Sequence, residues 1–210
     1  MDERLNTYLD TLLYSADPVL LTLEKEALLD DIPIIRRDMQ YFLRWILAEH
    51  QPERILEIGT AVGFSALFMA RCSDAWIDTI ENYAPRIAQA KENFEKYDPA
   101  GRITLYEGDA EEVLPTLSQK YDFVFMDAAK GQYPFFFKEA KRLLKKGGVL
   151  LSDNVLREGD ILESRFIIER RNRTIHKRMR AFLKELTSNS DFVTDILPIG
   201  DGVAVSVKTR

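Results

Sequence analysis

Apolar positions change period along the chain. Over the first fifty residues they recur at helical spacing. Leu5, Tyr8, Leu9, Leu12 and Leu13 form one run and Met39, Phe42, Leu43, Ile46 and Leu47 another, with Pro18 and Pro33 as punctuation. From residue 54 onward, short apolar runs alternate with helical stretches. RILEIGT (54–60) leads into a helical stretch around Ser65–Arg71, WIDTIE (76–81) into one through Lys96, and ITLYEGD (103–109) into a short one. YDFVFMDA (121–128) leads into a helix ending at KKGG (145–148), and GVLLSDN (148–154) follows as a fifth strand. Residues 161–188 read as one more helix, or two. In the tail, FVTDILPI and GVAVSVK flank Gly200-Asp201-Gly202, a hairpin signature.

Strands alternating with helices predict an α/β fold with a doubly wound, Rossmann-like sheet. The sheet is expected to be mostly parallel, with one antiparallel strand in the C-terminal hairpin and the N-terminal helices added. No repeat or linker interrupts the pattern, so residues 1–210 read as a single domain, with helices over 1–50 and the core over 51–210. At 210 residues, 46% hydrophobic and 30% charged, the chain can bury a full core.

The N-terminus MDERLNTYLD has no signal-peptide character, and no apolar run approaches the length of a membrane span. The single cysteine, Cys72, cannot form an internal disulfide. These features predict a reducing cytoplasm and no membrane partner. With only two histidines, His50 and His176, a His-rich zinc site or a Ser-His-Asp triad is disfavoured. Trp45, Trp76 and the Phe135–Phe137 run are expected in the core or in helix packing, Cys72 as a buried small side chain, and His176 on the surface.

Charge adds one local feature. The net charge is −5, yet Arg165, Arg170, Arg171, Arg173, Lys177, Arg178, Arg180 and Lys184 crowd one stretch, opposed there only by Glu169. Such a stripe is either an electrostatic footprint for a polyanion or the solvated face of an amphipathic helix.

In doubly wound sheets ligands bind beyond the carboxyl ends of the strands, near the point where strand order reverses. Acids gather there. Glu57 and Gly59 follow the first strand, Glu81 ends the second, Asp109 the third and Asp127 the fourth, with Lys130 close behind. Asp153 and Asn154 end the fifth. LEIGTAVGFSA (56–66) has glycines at a strand-to-helix turn but neither Lys nor Arg, so a polyphosphate is not expected. Glu81 is placed for ribose hydroxyls, and Asp109-Ala110 for an adenine ring. S-adenosylmethionine fits this set, because it lacks phosphates and its sulfonium tolerates carboxylates. Asp127, Asp153 and Asn154 could ligate a hard cation, but spacing alone is met as well by carboxylates that cap neighbouring helices.

ILEIGTAVGFSA, IDTIEN, GDA, FMDAAKGQY and LLSDNVL, in this order and spacing, resemble the S-adenosylmethionine-dependent, metal-dependent O-methyltransferases of catechol and caffeoyl-CoA type. The resemblance spans roughly residues 30–208. It implies Asp127, Asp153 and Asn154 as metal ligands for Mg²⁺, with Mn²⁺ or Ca²⁺ also suited, and Lys130 with Asp127 as the catalytic pair. It further implies a cofactor pocket of Ile35, Glu57, Gly59, Ser65, Glu81, Asp109, Ala110 and Asp127, with Ser65 on the methionine carboxylate. A metal beside Lys130 then calls for a lysine pKa well below about 10.4. Within the family, the DAAKGQY and DNVL wording, the closing GDGVAVSVK and the Arg-rich late helix look most like the bacterial tRNA 5-hydroxyuridine methyltransferases. That likeness implies tRNA as the substrate, Arg170, Arg171, Arg173, Lys177 and Arg178 as RNA contacts, and a homodimer. The alternative is a small-molecule methyltransferase acting on catechols or caffeoyl-type phenols.

Overall fold

A computed structural model describes residues 3–13, 17–164 and 166–210. Arg165 of the basic stretch lies outside the described residues. Three helices come first: α1 (Glu3–Leu13), α2 (Pro18–Leu29) and α3 (Arg37–His50). Asp17 caps α2 by accepting from the Val19 and Leu20 N–H groups, and Pro18 opens the first turn, where its missing donor costs nothing.

The alternating region follows as β1 (Arg54–Ile58), α4 (Phe64–Cys72), β2 (Trp76–Glu81), α5 (Ala84–Tyr97), β3 (Ile103–Glu107), α6 (Ala110–Val113) and β4 (Tyr121–Met126). It continues through α7 (Tyr133–Leu143), β5 (Leu144–Ser152), α8 (Arg173–Ser188), β6 (Phe192–Leu197) and β7 (Val203–Lys208). The seven strands lie in the order β3-β2-β1-β4-β5-β7-β6, so strand order reverses between β1 and β4. Only β7 runs against its neighbours β5 and β6, which agrees with one antiparallel strand.

Side chains of β4 alternate between two apolar layers. Phe123 and Phe125 join a cluster with α2, α3 and α4, while Val124 and Met126 join one with α7 and α8. All four are fully buried, and each contributes roughly 1.5–3 kcal/mol. This register fixes the strand tips. Ile58 pairs with Met126, and Met126 with Ser152, so Asp127 and Asp153 emerge side by side.

Several expectations are corrected. The run 145–148 is not the end of a helix. α7 stops at Leu143, Leu144 turns extended to pair with Tyr121, and the glycine pair forms an irregularity before Val149 meets Phe123. Residues 161–188 are not one or two long helices. Ile161 and Ile168 keep helical spacing, but the chain turns at Ser164, whose carbonyl accepts from the Ile167 N–H, and α8 begins only at Arg173. Trp45 and Trp76 are 62% and 53% exposed rather than in the core, because hydropathy does not tell a core face from an open one, though Trp45 does take a helix-packing role by stacking on Phe42 at 6.1 Å. His176 is buried, facing inward from α8 with Met179 and Phe182, and Cys72 is half-buried. Among the described residues no helix is long and apolar enough to cross a membrane.

Candidate active site

The crevice at the switch point is a cavity of about 550 Å³. Its floor is built by a close approach. Gly59 has φ +103, and a Cβ there would run into the Asp127 carbonyl and Ala128. Only glycine lets the turn after β1 lie against the turn after β4. Glu81, at the tip of β2, organises the same turn: its Oε2 accepts from Ala61 N–H at 2.8 Å and its Oε1 from Tyr83 N–H at 2.9 Å. Gly63, with φ +84, starts α4 and brings Ser65 to the cavity wall. Asp109 caps α6 through the Glu111 N–H, and with Ala110 lines the far end. Ile35 closes one side and is itself buried.

Glu57 differs from the expectation. It lies within β1, beneath the crevice, fully buried, and its Oε2 accepts from Thr79 at 2.5 Å. Its Oε1 has no hydrogen-bond partner. Burial pushes its carboxyl up to about 8, against the opposing pull of the Ser65 and Thr79 hydroxyls. It supports the crevice from below and does not line it.

At the other end the candidate ligands and the lysine meet. Lys130 stands on a short 3-10 turn, Lys130–Gln132, directly after β4. Its ammonium donates to Asp127 Oδ1 at 2.6 Å, Tyr133 Oη at 2.9 Å and Asn154 Oδ1 at 3.0 Å. Asn154 adopts φ +55, a left-handed conformation that asparagine tolerates, and this turns its amide inward. Asp153 is buried, and burial followed by the Asp127 charge pushes its carboxyl up to about 7. The Asp127 carboxylate, the Asn154 amide oxygen and, at 3.4 Å, the Asp153 backbone carbonyl thus converge on one positive group, while the Asp153 carboxylate beside them accepts from the Asn154 N–H at 2.7 Å. Among the described residues no cluster of three or more His, Cys, Asp or Glu is arranged as a metal site, and this trio falls outside that pattern because its third member is an amide. The donor set still fits a hard divalent cation: it is all oxygen, and the lysine ammonium already shows that the point favours positive charge.

Burial alone lowers the Lys130 pKa, but the facing Tyr133 and Asp127 oxygens outweigh burial and hold the ammonium above its ordinary value. The lowered value expected of Lys130 belongs to the state with a metal beside it. Tyr133, which the sequence reading passed over, explains part of the raised value. Its hydroxyl is buried and lies 3.1 Å from the Met126 carbonyl and 2.9 Å from the Asp153 carbonyl, joining the tips of β4 and β5. The signal was present as a tyrosine three residues after the lysine, at the start of α7.

The basic stretch is divided. Arg173 is spent on the Ile168 and Phe166 carbonyls, Arg171 pairs with Glu169, and Arg178 donates to Gly131 O at 3.0 Å, beside the crevice. Arg170 and Lys177 are exposed.

Comparison with known proteins places this architecture. Residues 17–209 match the O-methyltransferase family. The chain belongs to that family. A catechol O-methyltransferase of Mycobacterium tuberculosis is 34% identical over 163 residues, covering 75% of this chain and 74% of that protein. Among solved structures, the SAH-bound methyltransferase PaMTH1 of Podospora anserina superimposes with TM-score 0.88 at 26% identity, over 100% of this chain and 97% of that one. The O-methyltransferase TomG of Streptomyces achromogenes, solved in complex with SAM, gives TM-score 0.87 at 25% identity over 100% of both chains.

Proposed function

We propose that this O-methyltransferase takes its methyl group from S-adenosylmethionine and transfers it to the 5-hydroxyl of 5-hydroxyuridine at the tRNA wobble position, giving 5-methoxyuridine. The observation that carries the reading is the meeting of Lys130, Asp127 and Asn154 at the mouth of the crevice, with the Arg-rich start of α8 packed on the same turn through Arg178 and Gly131.

Bound S-adenosylmethionine supplies an electrophilic methyl group, and Mg²⁺, Mn²⁺ or Ca²⁺ held by Asp127, Asp153 and Asn154 lowers the pKa of an acceptor hydroxyl that has a second oxygen beside it. The chain's own residues do the rest. The Gly59 turn and the Glu81 carboxylate shape the cofactor end, leaving Asp127 and Lys130 at the methyl end. Lys130 is the chain's own candidate proton acceptor: with the Asp127 and Asn154 oxygens engaged by a cation, its ammonium would lose two acceptors, burial would favour the neutral amine, and Nζ would take the acceptor's proton. The acceptor oxygen bonds to the methyl carbon as the carbon–sulfur bond breaks. Holding both reactants in one crevice of this size supplies much of the rate.

5-Hydroxyuridine presents its hydroxyl beside the ring carbonyl, and a catechol presents two adjacent hydroxyls, so one site serves either. The second reading, a catechol-type methyltransferase, is favoured by the name of the Mycobacterium tuberculosis relative. Deleting the gene and analysing tRNA nucleosides by mass spectrometry separates them. The tRNA reading expects 5-methoxyuridine to vanish and 5-hydroxyuridine to rise; unchanged 5-methoxyuridine sinks it.

A further inference from the structure

Arg36 stands at the acceptor end of the crevice with its donors unused. It immediately precedes α3 and lines the cavity beside Gly200 and Asp201. Its guanidinium lies 3.6 Å from Asp201 Oδ1 and 4.0 Å from Asp38 Oδ1, and its side chain is 56% exposed. Both carboxylates are close enough to orient it, and neither takes a hydrogen bond from it. Asp201 Oδ2 in turn accepts from Asn154 Nδ2 at 3.4 Å, and Asn154 Oδ1 meets Lys130. Arg36 is therefore coupled to the end where the acceptor hydroxyl reacts, away from Glu81 and Asp109.

Of the two arginines near this end, only Arg36 lines the cavity. Arg36 comes from the layer of α3 and α4, and Arg178 comes from the layer of α7 and α8, next to Lys130 through Gly131. A guanidinium offers five donors in a planar fork that suits phosphate, and this one faces an open cavity. A nucleotide within a polynucleotide carries a phosphate on each side of its sugar. A free nucleoside or a small phenol carries none.

We propose that Arg36 binds a backbone phosphate flanking the acceptor nucleoside, so that the enzyme selects a nucleotide embedded in a strand. This rests on the RNA reading above. The test compares Arg36→Gln and Arg36→Lys with the unaltered enzyme, supplied with S-adenosylmethionine and Mg²⁺. The acceptors are a stem-loop oligoribonucleotide with one 5-hydroxyuridine in its loop and the free 5-hydroxyuridine nucleoside.

For Arg36→Gln, the ratio of KM for the oligonucleotide to KM for the nucleoside is expected to rise about tenfold, the size of a lost charged hydrogen bond. The slope of log affinity for the oligonucleotide against log salt is expected to become shallower by about one. Arg36→Lys, which keeps the charge, is expected to restore most of that slope. An unchanged ratio and slope overturns the proposal, as does an equal fall on both acceptors, which is what loss of a merely structural tie to Asp201 produces. An unaltered enzyme that methylates neither acceptor overturns the RNA reading and this inference with it. Transfer to the oligonucleotide that is indifferent to Arg36 overturns this inference alone.

Discussion

Lys130 Nζ lies 2.6 Å from Asp127 Oδ1, so the candidate base and a candidate metal ligand neutralise each other. The ammonium fills the space between Asp127 and Asn154 and competes for their oxygens. Lys130→Met is therefore expected to bind Mn²⁺ or Mg²⁺ more tightly, roughly tenfold or more given the close-range charge removed, while losing methyl transfer. Asp127→Asn is expected to lose both. Calorimetric titration with metal alone checks this, and weaker metal binding by Lys130→Met would contradict the competition.

Tyr133 holds that arrangement in place. Its hydroxyl meets the Lys130 ammonium and the carbonyls of Met126 and Asp153 from a buried position. Tyr133→Phe keeps the ring, which packs against Phe182 at 5.3 Å, and removes only the oxygen. The expected result is a loss of about 1–3 kcal/mol of stability and a 10- to 100-fold fall in kcat with little change in KM for S-adenosylmethionine. A variant with normal kcat would show that the hydroxyl serves the fold alone.

Glu57 predicts how stability depends on pH. Its carboxyl is raised from 4.5 to about 8 in the folded chain, chiefly by burial. Below the lower value both folded and unfolded states hold the proton. Between the two values only the folded state holds it, so stability falls as pH rises through that window and levels off above the upper value. Glu57→Gln is expected to remove this component, on the order of a few kcal/mol at the alkaline end. Thermal unfolding from pH 5 to pH 9 is the measurement, and parallel curves for the two proteins would refute the assignment.

Much of this was legible from the chain because strand tips are marked twice, by the end of an apolar run and by the polar residue that follows. Asp127, Asp153 and Asn154 were found in that way, and the register of β4 and β5 brings them together. Residues whose role depends on a neighbouring layer were not legible. Glu57 looks like a strand-end acid but sits one residue short of the tip, fully enclosed. Arg36 reads as one more surface charge until the 200–202 turn folds against it. The lysine's raised pKa follows from Tyr133 and Asp127 facing it, which no spacing rule conveys. The start of α8 was misplaced because Ile161 and Ile168 keep helical spacing through a segment that turns.

The basic stretch must be dissected by side chain rather than removed whole. Arg173 secures the loop before α8 through the Ile168 and Phe166 carbonyls, so Arg173→Ala is expected to loosen that loop and depress every activity together. Arg170 and Lys177 are exposed, and α8 opens with no acid in its first turn and no capping side chain. Positive charge at a helix N-terminus opposes the helix dipole, so it is tolerated at a cost that a phosphate partner would offset. The paired change Arg170→Ala and Lys177→Ala is expected to leave the melting temperature within about 2 °C, since exposed substitutions shift stability little. It is expected to weaken tRNA binding and flatten its salt dependence by about two, one for each lost phosphate contact. Catechol turnover serves as the internal comparison: if tRNA and catechol turnover fall in the same proportion, these charges do not read a polyanion, and the solvated-face account of the stripe stands.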